Sequence, residues 1–140
     1  MTLISACLLG VRCRWDGGNH TTQFTPTEGI LYIPVCPEQL GGMATPRPAC
    51  HIIQGGGEDV LAGQAVVVEL KSGKECTEYF LRGARETLLI AQQTGARRAI
   101  LKQRSPSCGY GEIYHGSAVV KGNGVTAALL IAAGIEVESR

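Results

Sequence analysis

The 140-residue sequence lacks a marked excess of charge of either sign, a long apolar run and a secretion signal. Thirteen Lys and Arg residues stand against twelve Asp and Glu, so the net charge of +1 favours neither nucleic acid nor a membrane surface as a partner. No apolar run approaches the ~20 residues that cross a bilayer. The start, Met1 to Cys7, is too short and too uncharged for a signal peptide. We therefore expect a cytoplasmic protein that does not bind membranes.

The six cysteines lack the local C-x-x-C pairs that are typical of structural zinc sites. In a reducing compartment they are not expected to form a disulfide framework, which leaves packing residues, metal ligands or reactive thiols. The sequence also lacks an internal repeat and a boundary between domains. At this length we expect a single domain over residues 1–140, long enough to bury one sizeable core.

Short apolar runs alternate with helical patterns along the chain. Thr77 and Asn123 are expected to cap the two helices, which Gly95 and Gly134 should end. Segment 36–57 has little periodicity and indicates an ordered functional loop, with no helix directly after residues 55–57. The alternation favours an α/β fold, a single-domain layered sandwich with a mainly parallel, Rossmann-like sheet. Strands are predicted at 3–6, 30–35, 66–70, 98–103 and 135–137, and helices at 77–94 and 125–133.

Cys7, Cys36 and Cys108 share one sequence context. Each lies at or beyond the C-terminal end of an apolar strand and precedes a glycine-containing turn. Because ligands of open α/β sheets bind beyond the carboxyl ends of the strands, we expect the three thiols to converge at one edge of the sheet. Three soft sulfur ligands with a vacant fourth position suit a [4Fe–4S] cluster with one open iron. The alternative is three buried cysteines that serve only as packing residues.

The motifs around these cysteines resemble those of a bacterial family that includes thiouracil desulfurases, in the same order and over essentially the whole chain. The resemblance implies that Cys7, Cys36 and Cys108 hold a [4Fe–4S] cluster, whose unique iron takes the sulfur of a thiolated pyrimidine. A carboxylate and a serine assist. The reaction so implied is non-redox desulfuration of a thiouracil or thiouridine type of base to the oxo base, with release of sulfide. The motifs are Ser5-Ala6-Cys7-Leu8-Leu9-Gly10, Cys13-Arg14 with Asp16-Gly17-Gly18, Val35-Cys36-Pro37-Glu38 with Gly41-Gly42, Thr45-Pro46-Arg47, Leu101-Lys102, Ser105-Pro106-Ser107-Cys108-Gly109 and Gly124-Val125-Thr126-Ala127-Ala128-Leu129-Leu130.

Five polar residues near the cysteines are the candidates for catalysis and substrate binding. Glu38 is the candidate general acid or base, and its alternative role is to cap the next turn. Ser105 and Ser107 are catalytic candidates, either of which would bind the pyrimidine carbonyl or relay a proton, or would only cap a turn. Arg47 and Lys102 are expected to bind on the substrate side by neutralising the cluster or an anionic intermediate, although such residues are ordinarily solvated.

The other three cysteines are not expected to be cluster ligands, with one exception to be weighed. Cys13 and Cys76 are interpreted as packing residues, with a supporting or resolving thiol as the alternative for Cys13. Cys50 and His51 stand where the resemblance leads us to expect Ala-Glu, and a fourth ligand from this pair would close the cluster to substrate.

Two functions therefore remain open. The first is an iron–sulfur-dependent desulfurase acting on a small thio-base or thionucleotide, with a thiolated tRNA bound through another protein as a neighbouring alternative. The second is a thiol-based redox or metal-sensing module without turnover.

Overall fold

A computed structural model describes residues 1–20 and 24–140 of the chain. Strands and helices alternate along most of its length, as the prediction of an α/β fold requires. In chain order the elements are β1 (Thr2–Ser5), β2 (Tyr32–Val35), α1 (Pro37–Leu40), β3 (Cys50–Ile53), α2 (Gly57–Leu61), β4 (Val66–Glu69), α3 (Thr77–Thr94), β5 (Arg98–Leu101), β6 (Glu112–His115), β7 (Ala118–Lys121), α4 (Val125–Ala132) and β8 (Glu136–Ser139).

The central sheet has four parallel strands in the order β2-β1-β5-β8. Its two faces have different coverings, because alternate residues of β1 belong to different clusters of the core. Leu3 packs in the cluster that contains Leu130 of α4, whereas Ile4 packs with Cys7 and Cys13 from the segment that follows β1. Covering on both faces explains why the inner strands are continuous apolar runs. The predicted α/β fold with a mainly parallel sheet is confirmed.

Two antiparallel pairs, β3–β4 and β6–β7, lie beside the parallel sheet in the described residues. The run at 66–70 is a strand as predicted, but it pairs with β3 and not with the central sheet. Segment 36–57, predicted as a loop, contains α1 and β3, and α2 begins at Gly57, so the expectation of no helix after residues 55–57 is wrong. Elements of four or five residues are too short for periodicity to reveal them.

Helix α3 has the predicted bounds, and Gly95 ends it in the left-handed region with φ of 72°. Its N-cap, however, is Cys76 and not Thr77. The Thr77 hydroxyl accepts a hydrogen bond from the backbone N of Val67 at 3.0 Å and so connects the helix to β4. A residue that sequence rules assign to a cap has been drawn to a neighbouring strand instead.

Helix α4 begins as predicted and ends at Ala132, one residue earlier than predicted. Its N-cap is Gly124 and not Asn123, since the Asn123 amide binds other segments: its oxygen accepts from Gly111 N at 2.9 Å and its nitrogen donates to Glu58 at 2.7 Å. In the described part of the chain, no helix has the length and apolarity needed to cross a membrane.

Candidate active site

The carboxyl ends of β1, β2 and β5 bring the three predicted cysteines to one edge of the sheet. Strand β1 lies between β2 and β5 and runs parallel to both, so the three ends point the same way. Cys7 lies in a 3₁₀ turn directly after β1, Cys36 follows β2, and Cys108 lies in the turn beyond β5. Cys7 and Cys108 are buried and Cys36 is half-buried. The predicted convergence of the strand ends is confirmed.

The stretch Cys36-Pro37-Glu38 sets a thiol and a carboxylate on one tight turn. Cys36 is the N-cap of α1, and its carbonyl accepts from Leu40 N at 2.9 Å. Pro37 occupies the first helical position, where its missing N–H leaves no bond unmade and its fixed φ suits a helix. Glu38 therefore lies in the first turn of α1, one residue beyond the proline and close to the thiol.

The position of α1 is fixed by a close approach to α3. A Cβ added at Gly83 of α3 would collide with the carbonyl oxygen of Pro37, and one added at Gly41 would collide with the carbonyl oxygen of Tyr79. Two glycines thus let the backbones of α1 and α3 touch. The helix contact holds the turn that carries Glu38 against the body of the protein.

Glu38 connects two segments of the site, the one that carries Arg47 and the turn that carries Ser107. Its Oε1 accepts a hydrogen bond from Arg47 Nε at 2.9 Å, and its Oε2 accepts one from Ser107 Oγ at 2.8 Å. The side chains of Arg47 and Glu38 are only 4% and 14% exposed, so their attraction acts in a medium of reduced dielectric constant. The Ser107 hydroxyl also lies 3.7 Å from Cys108 Sγ. A carboxylate so held, beside two thiols, is placed to exchange protons.

The guanidinium of Arg47 donates hydrogen bonds to other groups of the protein. Its Nη2 donates to the Cys13 carbonyl oxygen at 2.8 Å and lies 4.0 Å from Cys36 Sγ, while Nη1 donates to Thr45 Oγ1 at 3.0 Å. Burial acts to lower the pKa of Arg47, but the opposing charge and hydrogen bond of Glu38 raise it above its ordinary value. Direct substrate binding by Arg47 stays a prediction; the contacts make it a buried cation that orients Glu38.

Lys102 lies just beyond β5, at the same edge. Its backbone N donates to Ser5 Oγ at 2.8 Å, and its Nζ donates to the Arg140 carbonyl oxygen at 3.5 Å. Burial lowers the pKa of Lys102, although the nearby thiol of Cys7 acts in the opposite direction. The site thus has a second cation near Cys7, and the substrate-binding role of Lys102 stays a prediction.

The two candidate serines have different partners. Ser105 Oγ accepts a hydrogen bond from the backbone N of Cys108 at 2.8 Å and therefore closes the turn. Ser107, which is 2% exposed, donates to Glu38, and the two serine oxygens lie 3.3 Å apart. Ser105 has the geometry of the turn-capping alternative, whereas Ser107 contacts both the carboxylate and Cys108.

Helix α4 holds the serine turn in place. Its first N–H groups bind the turn: Val125 N donates to the Pro106 carbonyl at 2.8 Å, and Thr126 N donates to the Ser107 carbonyl at 2.9 Å. A Cβ at Gly124 would collide with the carbonyl of Ser107, so the approach requires glycine. This contact explains why the motif that begins at Gly124 accompanies the Ser107 motif in the sequence.

Cys13 lies beside the predicted ligands, which agrees with the alternative of a supporting thiol and not with that of a packing residue alone. Its thiol interacts with those of both Cys36 and Cys7; the hydrogen bond with Cys36 favours the thiolate, but the one with Cys7 and burial outweigh it and raise the pKa of Cys13 to about 11. The turn after β1 closes at Gly10, whose φ of 99° lets the chain reverse and bring residue 13 back. The spacing of six residues from Cys7 was the available signal.

Three thiolates are donors of the kind that hold an iron–sulfur cluster. Among residues 1–20 and 24–140, no three His, Cys, Asp or Glu side chains are arranged around one metal position. A [4Fe–4S] cube binds each thiolate at a different iron, so its ligands stand farther apart than those of one ion. Burial raises the pKa of Cys108 to about 12, and the hydrogen bond with Cys13, together with burial, raises that of Cys36. Binding at these thiols must therefore release protons.

Cys50 and His51 have other partners than the three converging thiols. Cys50 Sγ lies 3.2 Å from Cys76 Sγ. The His51 ring stacks on that of His115 with centroids 4.8 Å apart, and its Nδ1 accepts a hydrogen bond from Gly116 N at 2.9 Å. These contacts remove the geometric basis for a fourth cluster ligand from this pair.

Two cavities lie away from the thiols. One of about 490 Å³ is lined by the α2 region and the β6–β7 hairpin, and one of about 370 Å³ lies between the C-terminal ends of α3 and α4. That the three strand ends open onto a substrate pocket stays a prediction.

Comparison with known proteins gives a consistent result over nearly the whole chain. The model of the 2-thiouracil desulfurase family matches residues 2–140. The uncharacterized protein YbbK of Bacillus subtilis strain 168 is 44% identical over 144 aligned positions, which cover 99% of this chain and 95% of YbbK. Among solved structures, the chain is similar to the [4Fe-4S]-dependent thiouracil desulfidase TudS, with a TM-score of 0.80 and 36% identity, covering 99% of this chain and 89% of TudS.

Proposed function

The chain belongs to the 2-thiouracil desulfurase family, and from this premise we propose that it is a desulfurase that replaces the sulfur of a thiolated pyrimidine by oxygen. We further propose that Cys7, Cys36 and Cys108 hold a [4Fe–4S] cluster, as the similarity to TudS supports. The observation that carries the proposal is the hydrogen bond between Glu38 and Ser107 at the sheet edge where the three cysteines converge.

The reaction exchanges one atom for another without a change of oxidation state. A thiocarbonyl and water give a carbonyl and hydrogen sulfide, so no external oxidant or reductant is needed. When bound, the cluster supplies a Lewis-acidic iron with an open position that suits a soft sulfur atom. The protein must then position water, remove a proton from it and deliver a proton to the leaving sulfur.

Glu38 is the group we assign to proton transfer. It lies two residues from Cys36 in the first turn of α1, and Arg47 Nε donates to one of its oxygens at 2.9 Å. Because Arg47 fixes the orientation of the carboxylate, Glu38 is available to accept a proton from the attacking water and later to return one. Arg47 is therefore a positioning residue in this scheme.

Ser107 is the serine that we assign to the relay. Its hydroxyl donates to Glu38 Oε2 at 2.8 Å and lies 3.7 Å from Cys108 Sγ, so it stands between the carboxylate and a cluster ligand. We propose that Ser107 passes a proton between Glu38 and a substrate bound beside Cys108. Ser105 accepts a hydrogen bond from the backbone N of Cys108 and so closes the turn that positions Ser107.

The substrate that we propose is a free thio-base or thionucleotide and not a thiolated tRNA. A net charge of +1 supplies no strong attraction for a polyanion. Trp15 is 47% exposed, and its carbonyl accepts from Arg47 N at 2.8 Å, which places this aromatic residue next to the site. A ring in that position can stack on a pyrimidine. The six free thiols agree with action in the reducing cytoplasm.

The proposal is tested by reconstituting the protein with iron and sulfide under anaerobic conditions and assaying a panel of substrates. The panel contains 2-thiouracil, 4-thiouracil and the corresponding thionucleotides, without an added reductant. We expect release of sulfide together with formation of the oxo base. A protein that binds a cluster but turns over none of the panel would support the metal-sensing alternative.

A further inference from the structure

Two further thiols are separate from the three converging cysteines, although the charge of Glu38 acts on both of them. Cys50 is the first residue of β3, and Cys76 is the N-cap of α3. Their Sγ atoms are 3.2 Å apart, both residues are buried, and neither is in a disulfide. A disulfide bond of ~2.05 Å would require the sulfur atoms to approach by only about 1.2 Å, which small side-chain rotations supply.

We propose that Cys50 and Cys76 form a redox-active dithiol that a hydroperoxide converts reversibly into a disulfide. This property is independent of the desulfurase activity. The two thiols lose two protons and two electrons, and the peroxide takes up both and is reduced to water and an alcohol, or to two waters when it is hydrogen peroxide. A dithiol reductant reverses the change.

The two sulfur atoms have different roles in this reaction. The hydrogen bond between the two thiols lowers the pKa of Cys76 in spite of burial, and the helix N-terminus at Cys76 acts in the same direction. The thiolate of Cys76 attacks one peroxide oxygen, the other oxygen leaves with a proton, and a sulfenic acid forms. The sulfur of Cys50 then attacks Cys76 Sγ, and water leaves as the disulfide forms.

The surroundings of the pair select a small oxidant. Cys50 and Cys76 belong to a core cluster that includes Ile52, Val67 and Phe80, and their exposed fractions are 8% and 5%. Thiols so enclosed exclude a bulky disulfide such as oxidised glutathione, so we expect the oxidant to be a small hydroperoxide. The thiol of Cys50 reacts with the sulfenic acid faster than a second oxidant molecule does, because it is already in contact with Cys76.

The cross-link would brace the segments that carry the proton-transfer residues. Strand β3 begins three residues after Arg47, and α3 packs against α1, which carries Glu38. A bond between Cys50 and Cys76 would tie β3 to the start of α3. It would also close a loop in the unfolded chain and so restrict its conformations. We therefore expect the oxidised protein to unfold at a higher temperature than the reduced protein.

The test is to treat the reduced full-length chain with hydrogen peroxide, block the remaining thiols with N-ethylmaleimide and map the peptides by mass. Cleavage after Glu38 with a glutamate-specific protease is essential, because trypsin leaves Cys36 and Cys50 on one peptide. We expect fragment 39–58 joined to fragment 76–78, with a mass lower by two hydrogen atoms than the sum of the free peptides. Dithiothreitol should separate them, and the thermal midpoint should fall back.

Matched variants separate this pair from the thiols of the active site. Cys13→Ala should keep the cross-link, whereas Cys76→Ala should lose both the cross-link and the peroxide-induced rise in midpoint. Recovery of Cys50 and Cys76 as free thiols in the peroxide-treated wild type, or of either joined to another cysteine or irreversibly oxidised, would overturn the proposal. A cross-linked wild type that unfolds at the temperature of the reduced chain would overturn the bracing role. These wild-type results decide the matter even if a variant fails to fold.

Discussion

Ser107 Oγ donates a hydrogen bond to Glu38 Oε2 at 2.8 Å, across 69 positions of the sequence. The bond joins the turn beyond β5 to the first turn of α1, two segments that also carry Cys108 and Cys36. The fold thus assembles a hydrogen-bonded carboxylate and hydroxyl and two thiols from separate parts of the chain. The proposed mechanism requires this juxtaposition.

Replacing Glu38 by glutamine should preserve the iron content and abolish most turnover. Glutamine keeps the shape and accepts hydrogen bonds, but it cannot take a proton from water. The loss of a positioned acid or base typically lowers the rate by about 10²–10⁴-fold. Sulfide release by the reconstituted variant measures the effect, with Glu58→Gln on α2 as the matched control. Near-normal release would remove Glu38 from the mechanism, and loss of the cluster would make Glu38 structural.

Replacing any one of Cys7, Cys36 and Cys108 by serine should remove the cluster absorption and most of the bound iron. A serine hydroxyl is a much poorer ligand for iron than a soft thiolate. Cys13→Ser and Cys76→Ser should retain the iron, because we assign neither as a ligand. Anaerobic reconstitution followed by an iron assay distinguishes the two groups. Equal iron in all five variants would show that the ligand set is wrong.

Replacing Arg47 by methionine should destabilise the protein by about 3–5 kcal/mol, because it leaves the carboxylate of Glu38 enclosed without its cation. The matched control is Arg98→Met, since Arg98 is 45% exposed in its pair with Glu138. An exposed pair of that kind contributes about 0–1 kcal/mol. Urea unfolding measures both. Equal losses for the two variants would contradict the positioning role of Arg47.

Replacing Gly83 by alanine should destabilise the protein, although the same change in an open helix position is stabilising by about 1 kcal/mol. The added Cβ would collide with the carbonyl of Pro37, and relieving such overpacking costs about 1–3 kcal/mol. Because the shift moves α1, turnover should fall as well. Glu86→Ala, on an exposed part of α3, is the control. A more stable Gly83→Ala variant with full turnover would mean that the contact between α1 and α3 does not position Glu38.

The parallel sheet could be predicted from the sequence because its inner strands are buried on both faces. That burial produces continuous apolar runs such as Leu3-Ile4, and Gly95 and Gly134 lie at or just beyond the ends of the two longest helices. The short antiparallel pairs escaped prediction because four residues carry too little pattern. Capping by Thr77 and Asn123 was wrong because each side chain has a competing partner on another segment, which only the tertiary structure supplies.

Contacts that only the tertiary structure supplies also limited what could be predicted about the site. Spacing after three strands was enough to predict where Cys7, Cys36 and Cys108 would meet. It could not reveal that Cys13 returns to the other thiols, since that depends on the reversal at Gly10. Nor could it decide between Ser105 and Ser107, which differ only in whether the hydroxyl points to a backbone N–H or to Glu38.

Hydrolytic desulfuration is tested by turnover of 2-thiouracil in ¹⁸O-labelled water by the reconstituted protein without an electron donor or acceptor. The account predicts uracil that carries one labelled oxygen, together with one sulfide for each uracil formed. It also predicts that Cys108→Ser gives neither product. Uracil without the label, or turnover that requires an added oxidant or reductant, would contradict the account.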